Sequence, residues 1–302
     1  MQPISEIGEH ALIARIRERA GTPPSWVHIG IGDDAAVIAP ERGELDVVTT
    51  DCQIEGVHFD RRWHAMREIG AKALAVNLSD LAAMAALPRA ATLSLALPPA
   101  LLLEDFDALV DGFLSLAALA RVTLIGGNLS NSPGPIVIDV TLIGSARRRR
   151  ILTRSGGAPG HLLYVTGPLG AASANLETHK RSDAHTLLLL RLSRELASNR
   201  VVSACMDLSD GLADGVSQIA TASGTGAAVG SASVPVHPTA TLEHALRGGE
   251  DYELLFAVPA KRRRAFERIA GRMTPVTCIG ELTKDPSLRL DEGPLGGGFA
   301  HF

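Results

Sequence analysis

Two short segments place carboxylates and hydroxyl groups inside otherwise apolar sequence. Residues 76–86 read VNLSDLAAMAA and residues 206–214 read MDLSDGLAD, so a Leu-Ser-Asp core occurs once in each half of the chain. An ionised carboxylate that leaves water is destabilised by several kcal/mol unless a cation or hydrogen-bond donors meet it. Asp80 and Asp210 therefore need partners, and the repetition suggests one shared cationic partner.

Further acidic residues follow strand-like segments and stand beside glycine or hydroxyl residues. They are Asp33 and Asp34 in GIGDDAAV, Asp51 in VVTTDCQIEGVHF, Asp207 in MDLSDG, and Glu250 and Asp251 in GGEDYELLF. Each pair alone is also ordinary turn chemistry. Together, hard oxygen ligands without nearby Cys or paired His favour Mg²⁺, which is commonly shared with substrate phosphates. The pattern predicts a magnesium-dependent polyphosphate site.

Several familiar nucleotide and hydrolase motifs are missing from the sequence. The four lysines, at positions 72, 180, 261 and 284, never follow a glycine, so a Walker-type loop is excluded, and no HRD or DFG motif occurs. GxSxG and HExxH are also absent, which argues against a serine hydrolase of that type and a zincin. Phosphate charge must therefore be neutralised mainly by metal.

Composition narrows the class of protein. The 302 residues carry a formal net charge of −4, which gives no footprint for nucleic acid. No apolar run reaches the ~18 residues of a membrane helix. Cys52, Cys205 and Cys278 are odd in number and form no CxxC pair, which favours a reducing compartment. We expect a cytoplasmic protein with neither nucleic-acid nor membrane partners.

The segment that carries Asp80 has the periodicity of a buried helix. One face is formed by apolar residues three or four positions apart: Leu74, Leu78, Leu81 and Ala85. Asn77 and Asp80 share a neighbouring face, so we expect them to point into an interior or a cleft. Pro88 is predicted to end the helix. The alternative is that Asp80 only caps a helix or pairs with an arginine.

Strand-like and helix-like segments alternate along the whole chain, which predicts an α+β protein. Strands are expected at VHIGIG, LDVVTT, TLSLAL, VTLIGG and IVIDVTLIG, and then at LLYVTG, VVSACMD, AAVG, ELLFAV and PVTCIGEL. Helices are expected near residues 4–20, 68–87, 104–120, 183–199, 209–223 and 260–271. Charge, glycine and proline in SARRRRILTRSGGAPGH, residues 145–161, predict a boundary between two mixed domains, 1–148 and 149–302.

Ordered motifs along nearly the entire chain resemble thiamine-monophosphate kinase, of the aminoimidazole ribonucleotide synthetase superfamily. The motifs are GIGDDAAV (30–37), TTDCQIEGVHF (49–59), KALAVNLSDLAAMAA (72–86), LIGG (124–127), LTRSGGAPG (152–160), MDLSDGL (206–212), GGEDYELLF (248–256) and the terminal GFAHF. The resemblance implies an N-terminal domain that dimerises through its sheet, a C-terminal α+β domain, and an active site in the cleft between them. It also implies in-line phosphorylation of thiamine phosphate to thiamine diphosphate by ATP.

The resemblance also assigns roles to individual residues. It implies several Mg²⁺ ions around the ATP phosphates, held by Asp34, Thr49, Thr50, Asp51, Asp80, Asp207 and Asp210. Gly127, Arg154 and Ser209 match positions that contact ATP, and His58, Glu250 and a C-terminal aromatic residue, Phe299, match the side that holds thiamine phosphate. A thiazolium cation favours a carboxylate and an aromatic face. No catalytic side chain is expected, because a metal-assisted transfer needs no covalent nucleophile.

One position departs from the family pattern. Many members read Gly-Gly-Asp-Thr where this chain reads Gly-Gly-Asn-Leu, so Asn128 stands where an aspartate would bind magnesium and ATP. An amide oxygen can coordinate a hard cation, but it brings no charge. We therefore expect a weaker metal contact there, with a structural asparagine in a turn as the alternative.

Two other functions fit the same acidic residues. One is another ATP-dependent synthetase of the same superfamily, although this chain ends in Phe302 without a terminal cysteine and lacks a long glycine-rich N-terminal extension. The other is a non-enzymatic dimer that binds divalent ions such as calcium. A nucleotide-binding measurement in the presence of magnesium separates these alternatives, because a structural calcium protein should not bind ATP.

Overall fold

The computed structural model describes residues 2–176 and 182–298. These residues fall into two compact units. The first contains the described residues of Met1–Leu81, Leu87–Arg147 and Arg181–Asp183, and the second contains those of Ala82–Ala86, Arg148–Lys180 and Ala184–Phe302. Each unit has its own β-sheet and its own helices, which confirms the predicted α+β class.

The first unit contains a four-stranded sheet and a separate short hairpin. The hairpin strands are β1 (Val27–Ile29) and β2 (Val37–Ile38), and the sheet strands are β3 (Leu45–Ile54), β4 (Leu87–Leu97), β5 (Thr123–Asn131) and β6 (Val137–Ala146). The strand order is β3-β6-β4-β5, with β6 antiparallel to both neighbours and β4 parallel to β5. Ile138, Val140 and Leu142 of β6 are fully buried, which confirms the predicted apolar face.

Three helices belong to the first unit: α1 (Glu9–Ala20), α2 (Met66–Ala83) and α3 (Leu103–Ala120). Two glycines let the backbones of α2 and α3 meet directly. A Cβ atom on Gly70 would lie 1.9 Å from the carbonyl oxygen of Leu109, and one on Gly112 would lie 1.9 Å from that of Arg67. No larger residue fits at either position, so this crossing fixes where α2 holds Asp80.

Helix α2 ends five residues before Pro88, so the prediction that Pro88 ends the helix was wrong. The helix stops at Ala83, and the chain turns at Ala85, whose φ of 55° is left-handed. Pro88 instead lies near the start of β4, where it is paired with Gly144 of β6. A proline is compatible with the beginning of a strand, so a proline after a helical pattern did not mark the helix end here.

The second unit contains a seven-stranded sheet. Its strands are β7 (His161–Thr166), β8 (Ala204–Asp207), β9 (Gly226–Val229), β10 (Leu254–Pro259), β11 (Val276–Thr283), β12 (Leu288–Leu290) and β13 (Gly293–Pro294), in the order β13-β12-β9-β11-β7-β10-β8. The helices are α4 (Ala171–Ala174), α5 (Asp183–Ser198), α6 (Leu212–Ser223), α7 (Leu242–Arg247) and α8 (Arg263–Ala270). Strand β8 therefore lies at one edge.

Both faces of this sheet are covered by apolar side chains. Leu163 of β7 and Leu255 of β10 belong to a buried cluster with Val216 of α6. Tyr164, the next residue of β7, points to the opposite face of the sheet. Its ring centroid lies 4.7 Å from that of Phe266 on α8, so α8 packs against this second face. In the part of the chain that the structure covers, no helix has the length and apolarity needed to cross a bilayer.

Candidate active site

Strand β3 and helix α2 bring two predicted site residues into contact. The hydroxyl of Thr49 donates a hydrogen bond to Oδ2 of Asp80. Successive side chains of a strand point to opposite faces, so Asp51 lies on the same face of β3 as Thr49. Thr49, Asp51 and Asp80 are all half-buried. Thr49 and Asp80 therefore form a pair of oxygen-bearing side chains in the first unit.

Thr50 lies on the other face of β3. Its Oγ1 is 3.4 Å from Oδ1 of Asp139 and 3.3 Å from Oγ1 of Thr141, both on β6. The alternation of the strand separates this hydroxyl from the pair formed by Thr49 and Asp80. Of the two adjacent threonines, the structure places only Thr49 beside Asp80.

Asn77, one turn before Asp80, is fully buried in α2, as the helical pattern predicted. Its Nδ2 donates to the carbonyl oxygen of Ala73 at 3.0 Å, which is a bond within the helix. Its Oδ1 accepts no hydrogen bond from any residue that the structure describes. Asp80 is more exposed than Asn77, so only the carboxylate of this pair reaches accessible space.

Asp33 and Asp34 occupy the loop that joins β1 to β2. Both residues are exposed. The backbone N–H of Asp34 donates to Oδ1 of Asp33 at 2.8 Å, so the Asp33 carboxylate braces the loop. The resemblance assigns only Asp34 of these two acids to the metal.

Gly127 and Asn128 lie on β5, beside β4. A Cβ atom at Gly127 would lie 1.9 Å from the carbonyl oxygen of Leu93, so only glycine permits the observed strand contact. Asn128 is exposed and is paired in register with Ser94. The glycine thus has a structural requirement in addition to the nucleotide contact that the resemblance implies.

His58 lies in the turn that follows β3. The backbone N–H of Ile54 donates to Nδ1 of His58 at 3.1 Å, so the neutral ring carries its proton on Nε2. Nζ of Lys72, on α2, donates to the carbonyl oxygen of His58 at 2.5 Å. No motif assigned a role to Lys72, although it lies about two turns before Asp80 on one helix.

In the second unit, the acids follow edge strand β8. Asp207 ends the strand and is only 4% exposed. The hydroxyl of Ser209 donates to Oδ2 of Asp210 at 2.9 Å. Gly298 packs against this segment, because a Cβ atom there would lie 2.5 Å from the carbonyl oxygen of Asp210. Phe299, the predicted aromatic contact, lies outside the described residues.

Backbone hydrogen bonds connect the GGEDY segment to the residues that directly follow β8. The N–H of Glu250 donates to the carbonyl oxygen of Ser209 at 2.7 Å, and that of Tyr252 donates to Leu208 at 2.8 Å. Glu250 and Tyr252 have left-handed φ values of 68° and 50°. Such values are uncommon for residues other than glycine and cluster at functional sites. The backbone thus holds Glu250 beside Ser209.

Asp251 points the other way, toward the start of α4. Its Oδ2 accepts a hydrogen bond from the N–H of Gly170 at 2.7 Å. Burial raises the pKa of Asp251 to about 6, although the backbone N–H groups of Gly170 and Ala172 oppose that rise. Asp251 is therefore a structural carboxyl, and the resemblance assigned only Glu250 of this pair to the substrate.

Arg154 is exposed, and its guanidinium has a defined orientation. Nη1 of Arg154 donates to Oε1 of Gln218, and Nε2 of Gln218 donates to Oδ2 of Asp214 at 2.9 Å. Gln218 and Asp214 lie one turn apart on α6. This chain of hydrogen bonds places the cation that the resemblance assigns to ATP.

Both units contain side-chain oxygen atoms that could bind a metal ion, and these occur as small groups of neighbouring residues. Within residues 2–176 and 182–298, no three His, Cys, Asp or Glu side chains converge as a metal site. The groups that do form are Thr49 with Asp80 and Ser209 with Asp210. Magnesium usually binds through one or two carboxylates and completes its shell with waters and phosphate oxygens. The ligand chemistry of these groups therefore fits magnesium.

Both halves of the chain match one family of proteins. Residues 32–146 match the N-terminal domain of AIR synthase related proteins, and residues 158–292 match their C-terminal domain. Thiamine-monophosphate kinase from Salmonella typhimurium is 37% identical over 303 residues, which cover 92% of this chain and 91% of the relative.

Solved structures agree with the sequence matches. Thiamine-monophosphate kinase from Stenotrophomonas maltophilia has a TM-score of 0.80 and 36% identity, covering 95% of this chain and 98% of that one. AaThiL complexed with AMPPCP and TMP has a TM-score of 0.73 and 28% identity, covering 100% of this chain and 99% of that one. The chain therefore belongs to the AIR synthase related family and, within it, to the thiamine-monophosphate kinases.

Proposed function

We propose that this chain transfers the γ-phosphoryl group of ATP to the phosphate of thiamine phosphate, which yields thiamine diphosphate and ADP. The observation that carries this function is the 37% identity to a thiamine-monophosphate kinase over 92% of the chain. The relative that was solved with AMPPCP, an ATP analogue, and TMP binds the same pair of reactant types. The enzyme is thus a phosphotransferase with a phosphate group as acceptor.

Magnesium is the proposed metal, held by Asp34, Thr49, Thr50, Asp51, Asp80, Asn128, Asp207 and Asp210. When bound, it supplies positive charge to the oxygens of the transferred and bridging phosphates. The contact between Thr49 and Asp80 supports this assignment, because it brings a hydroxyl oxygen and a carboxylate, two ligand types that magnesium accepts, next to each other. The hydroxyl of Thr50 lies toward Asp139 and Thr141, so the geometry gives the assignment of Thr50 less support than that of Thr49.

The proposed ATP contacts are Gly127, Asn128, Arg154 and Ser209. The orientation of Arg154 by Gln218 supports its role, because a guanidinium held in place loses less entropy when it binds phosphate. The hydrogen bond from Ser209 to Asp210 supports a shared role for these two residues on the phosphate side.

The proposed thiamine phosphate contacts are His58, Glu250 and Phe299. The Ile54 N–H fixes the His58 ring through Nδ1, and a ring N–H is a donor that suits an anionic phosphate. The left-handed backbone at Glu250 is supporting evidence that this carboxylate is held for a ligand. A thiazolium cation is a suitable partner for that carboxylate.

No general base or nucleophile is assigned. The acceptor phosphate has a second pKa of about 6 and is already ionised at neutral pH. Desolvation and the carboxylates of Asp139 and Asp51 raise the pKa of the Cys52 thiol, although the residue is exposed at the surface. A thiol that stays protonated is a poor nucleophile. Cys52 is therefore excluded from the proposed chemistry.

The proposed assembly is a homodimer through the sheet of the first unit. Strand β3 is an edge strand, and Val48 and Leu45 on it are 62% and 42% exposed. A long edge strand with exposed apolar residues is a natural site for pairing with another chain. The proposed domain division is 1–148 and 149–302, and the proposed location is the cytoplasm.

The proposed function is tested with purified protein, MgCl₂, ATP and thiamine phosphate, and thiamine diphosphate is followed by chromatography. Stoichiometric formation of thiamine diphosphate and ADP is the expected result. A synthetase of the same superfamily would leave thiamine phosphate unchanged. Calorimetry with magnesium and a non-hydrolysable ATP analogue addresses the remaining alternative, because a calcium-binding structural dimer would show no nucleotide binding.

A further inference from the structure

Arg89 is a buried cation that no sequence motif includes. It lies on β4 of the first unit and is 7% exposed. An arginine stays charged in a folded protein, and a buried charge is costly unless neighbouring groups compensate it. The contacts of its guanidinium therefore show what this residue holds.

Arg89 contacts both flanks of the β1–β2 hairpin. Its Nη2 donates to the carbonyl oxygen of Ala39 at 3.0 Å, directly after β2. Its Cζ lies 4.7 Å from the ring centroid of Trp26, directly before β1. Glu41 is a more distant partner, with its Oε2 at 3.9 Å. Nη1 of Arg89 has no hydrogen-bond partner among the residues that the structure covers.

The hairpin depends on contacts from outside itself. Its strands have only three and two residues, with an irregular register between them. A two-stranded hairpin of that size is marginal in water unless it packs against other elements. The N–H of Ala39 donates to the carbonyl oxygen of Trp26 at 2.8 Å, so Arg89 touches both residues that close the hairpin.

We propose that Arg89 is a positioning residue, which clamps the base of this hairpin and so fixes the loop that carries Asp33 and Asp34. The inference rests on the proposed function, in which Asp34 binds magnesium with ATP. A ligand on a short loop contributes fully only when its supporting residues hold it in place. Arg89 acts through the hairpin and does not itself contact the ligand.

The test uses Arg89→Met, with Arg15→Met as the matched control. Arg15 on α1 is instead bonded to Asp107 on α3. Amide hydrogen exchange of Ala39 in the metal-free protein reports the clamp directly. The magnesium concentration for half-maximal activity reports its consequence for the loop.

For Arg89→Met, we expect exchange at Ala39 to rise about tenfold and the magnesium midpoint to rise several-fold, with kcat at saturating magnesium nearly unchanged. Arg15→Met should change neither quantity. Unchanged exchange at Ala39 would overturn the clamp. Faster exchange with an unchanged magnesium midpoint would leave Arg89 as a stabilising residue only and would also overturn the proposal.

A second variant keeps the test decisive if Arg89→Met fails to fold. Trp26→Leu removes the aromatic face but keeps the hydrogen bond from Arg89 to Ala39, so it should produce a smaller change in the same two quantities. Asp34→Asn separates this inference from the proposed function. If Asp34→Asn leaves the magnesium midpoint unchanged, the metal assignment has failed, whereas exchange at Ala39 still reports whether Arg89 clamps the hairpin.

Discussion

At the scale of single residues, Asp80 is central to the proposed metal site. It is half-buried on α2, where apolar residues and the polar Asn77 and Ser79 surround it in the sequence, and the hydroxyl of Thr49 donates to it. In the proposed site, a bound cation adds a charged partner to this carboxylate. In the second unit, Asp207 ends edge strand β8 and Asp210 follows three residues later.

The first prediction removes one charge at a time. Asp51→Asn, Asp80→Asn and Asp207→Asn should each lower kcat by about 100-fold or more, because a missing carboxylate leaves metal and phosphates misplaced. Steady-state assays at saturating magnesium measure the loss, and circular dichroism checks the fold. Asp46→Asn is the control, since Asp46 lies on the same strand and is exposed. Near-normal activity in all three variants would contradict the metal site.

The second prediction adds a charge. Asn128→Asp should lower the magnesium concentration needed for half-maximal activity, with little change in KM for thiamine phosphate, because a carboxylate binds a hard cation more strongly than an amide oxygen. Magnesium titrations of both proteins measure the shift. Asn131→Asp, on the same exposed strand end, is the control. If the magnesium titrations of Asn128→Asp and the native protein superimpose, Asn128 does not bind the metal.

Residue types predicted which side chains belong to the acidic segments, but not how each is used. Residue types alone treat the two aspartates of GIGDD alike, and only the resemblance selected Asp34; in the structure, the Asp33 carboxylate accepts the N–H of Asp34. GGEDY likewise contains two acids, and only burial and the N–H of Gly170 show that Asp251 is structural. Such differences depend on the local backbone path, which a motif does not specify.

At the scale of elements, close backbone contacts determine where the site residues stand. The crossing of α2 and α3 at Gly70 and Gly112 fixes the helix that holds Asp80. The contact between β4 and β5 at Gly127 fixes the strand that carries Asn128. Both contacts require glycine, so the elements tolerate little change at these points.

The third prediction concerns that strand contact. Gly127→Ala should lower the free energy of unfolding by about 1–3 kcal/mol, because its Cβ atom would overlap the carbonyl oxygen of Leu93. Urea denaturation measures the change. Gly134→Ala is the control, since a Cβ atom there would meet nothing within 4 Å. Equal stability of the two variants would show that β5 adjusts without cost.

The fourth prediction concerns pH and the segment that joins Gly170 to Asp251. Asp251 has a folded-state pKa of about 6 against an ordinary value of 3.8, so between these values the folded protein binds more protons than the unfolded protein. The contribution of Asp251 to the free energy of unfolding therefore falls as pH rises from about 4 to about 6, by at most about 3 kcal/mol.

Asp251→Asn removes this titration. Relative to the native protein, its urea midpoint should improve as pH rises from about 4 to about 7, because the native protein alone must ionise a buried carboxyl. The comparison is made at several pH values in one buffer series. Parallel pH profiles for the two proteins would contradict the raised pKa of Asp251.

The elements themselves were largely predictable from periodicity. The alternation in IVIDVTLIG and the leucine spacing before Asp80 gave the correct strand and helix, because both patterns arise from one buried face. The end of α2 was not predictable, since Ala85 adopts a left-handed conformation that its residue type does not suggest. The short elements α4, β2 and β13 bury too few residues to produce a recognisable hydrophobic periodicity in the sequence.

At the scale of the whole molecule, family membership joins the two units into one enzyme. The match to AIR synthase related proteins covers residues of both units. The acceptor in the proposed reaction is the phosphate of thiamine phosphate, so the enzyme must recognise that phosphate. Without that phosphate, the groups meant for it would be left unpaired, and such mismatches discriminate strongly between substrates.

Single-turnover transfer from ATP labelled with ³²P in its γ-phosphate tests this account most directly. The purified enzyme is mixed with the labelled ATP, magnesium and either thiamine phosphate or thiamine, and then quenched with acid. We expect the label to move into the terminal phosphate of thiamine diphosphate, with none bound to protein and none transferred to thiamine. Label on the protein, in thiamine phosphate made from thiamine, or only in inorganic phosphate would contradict direct transfer to thiamine phosphate.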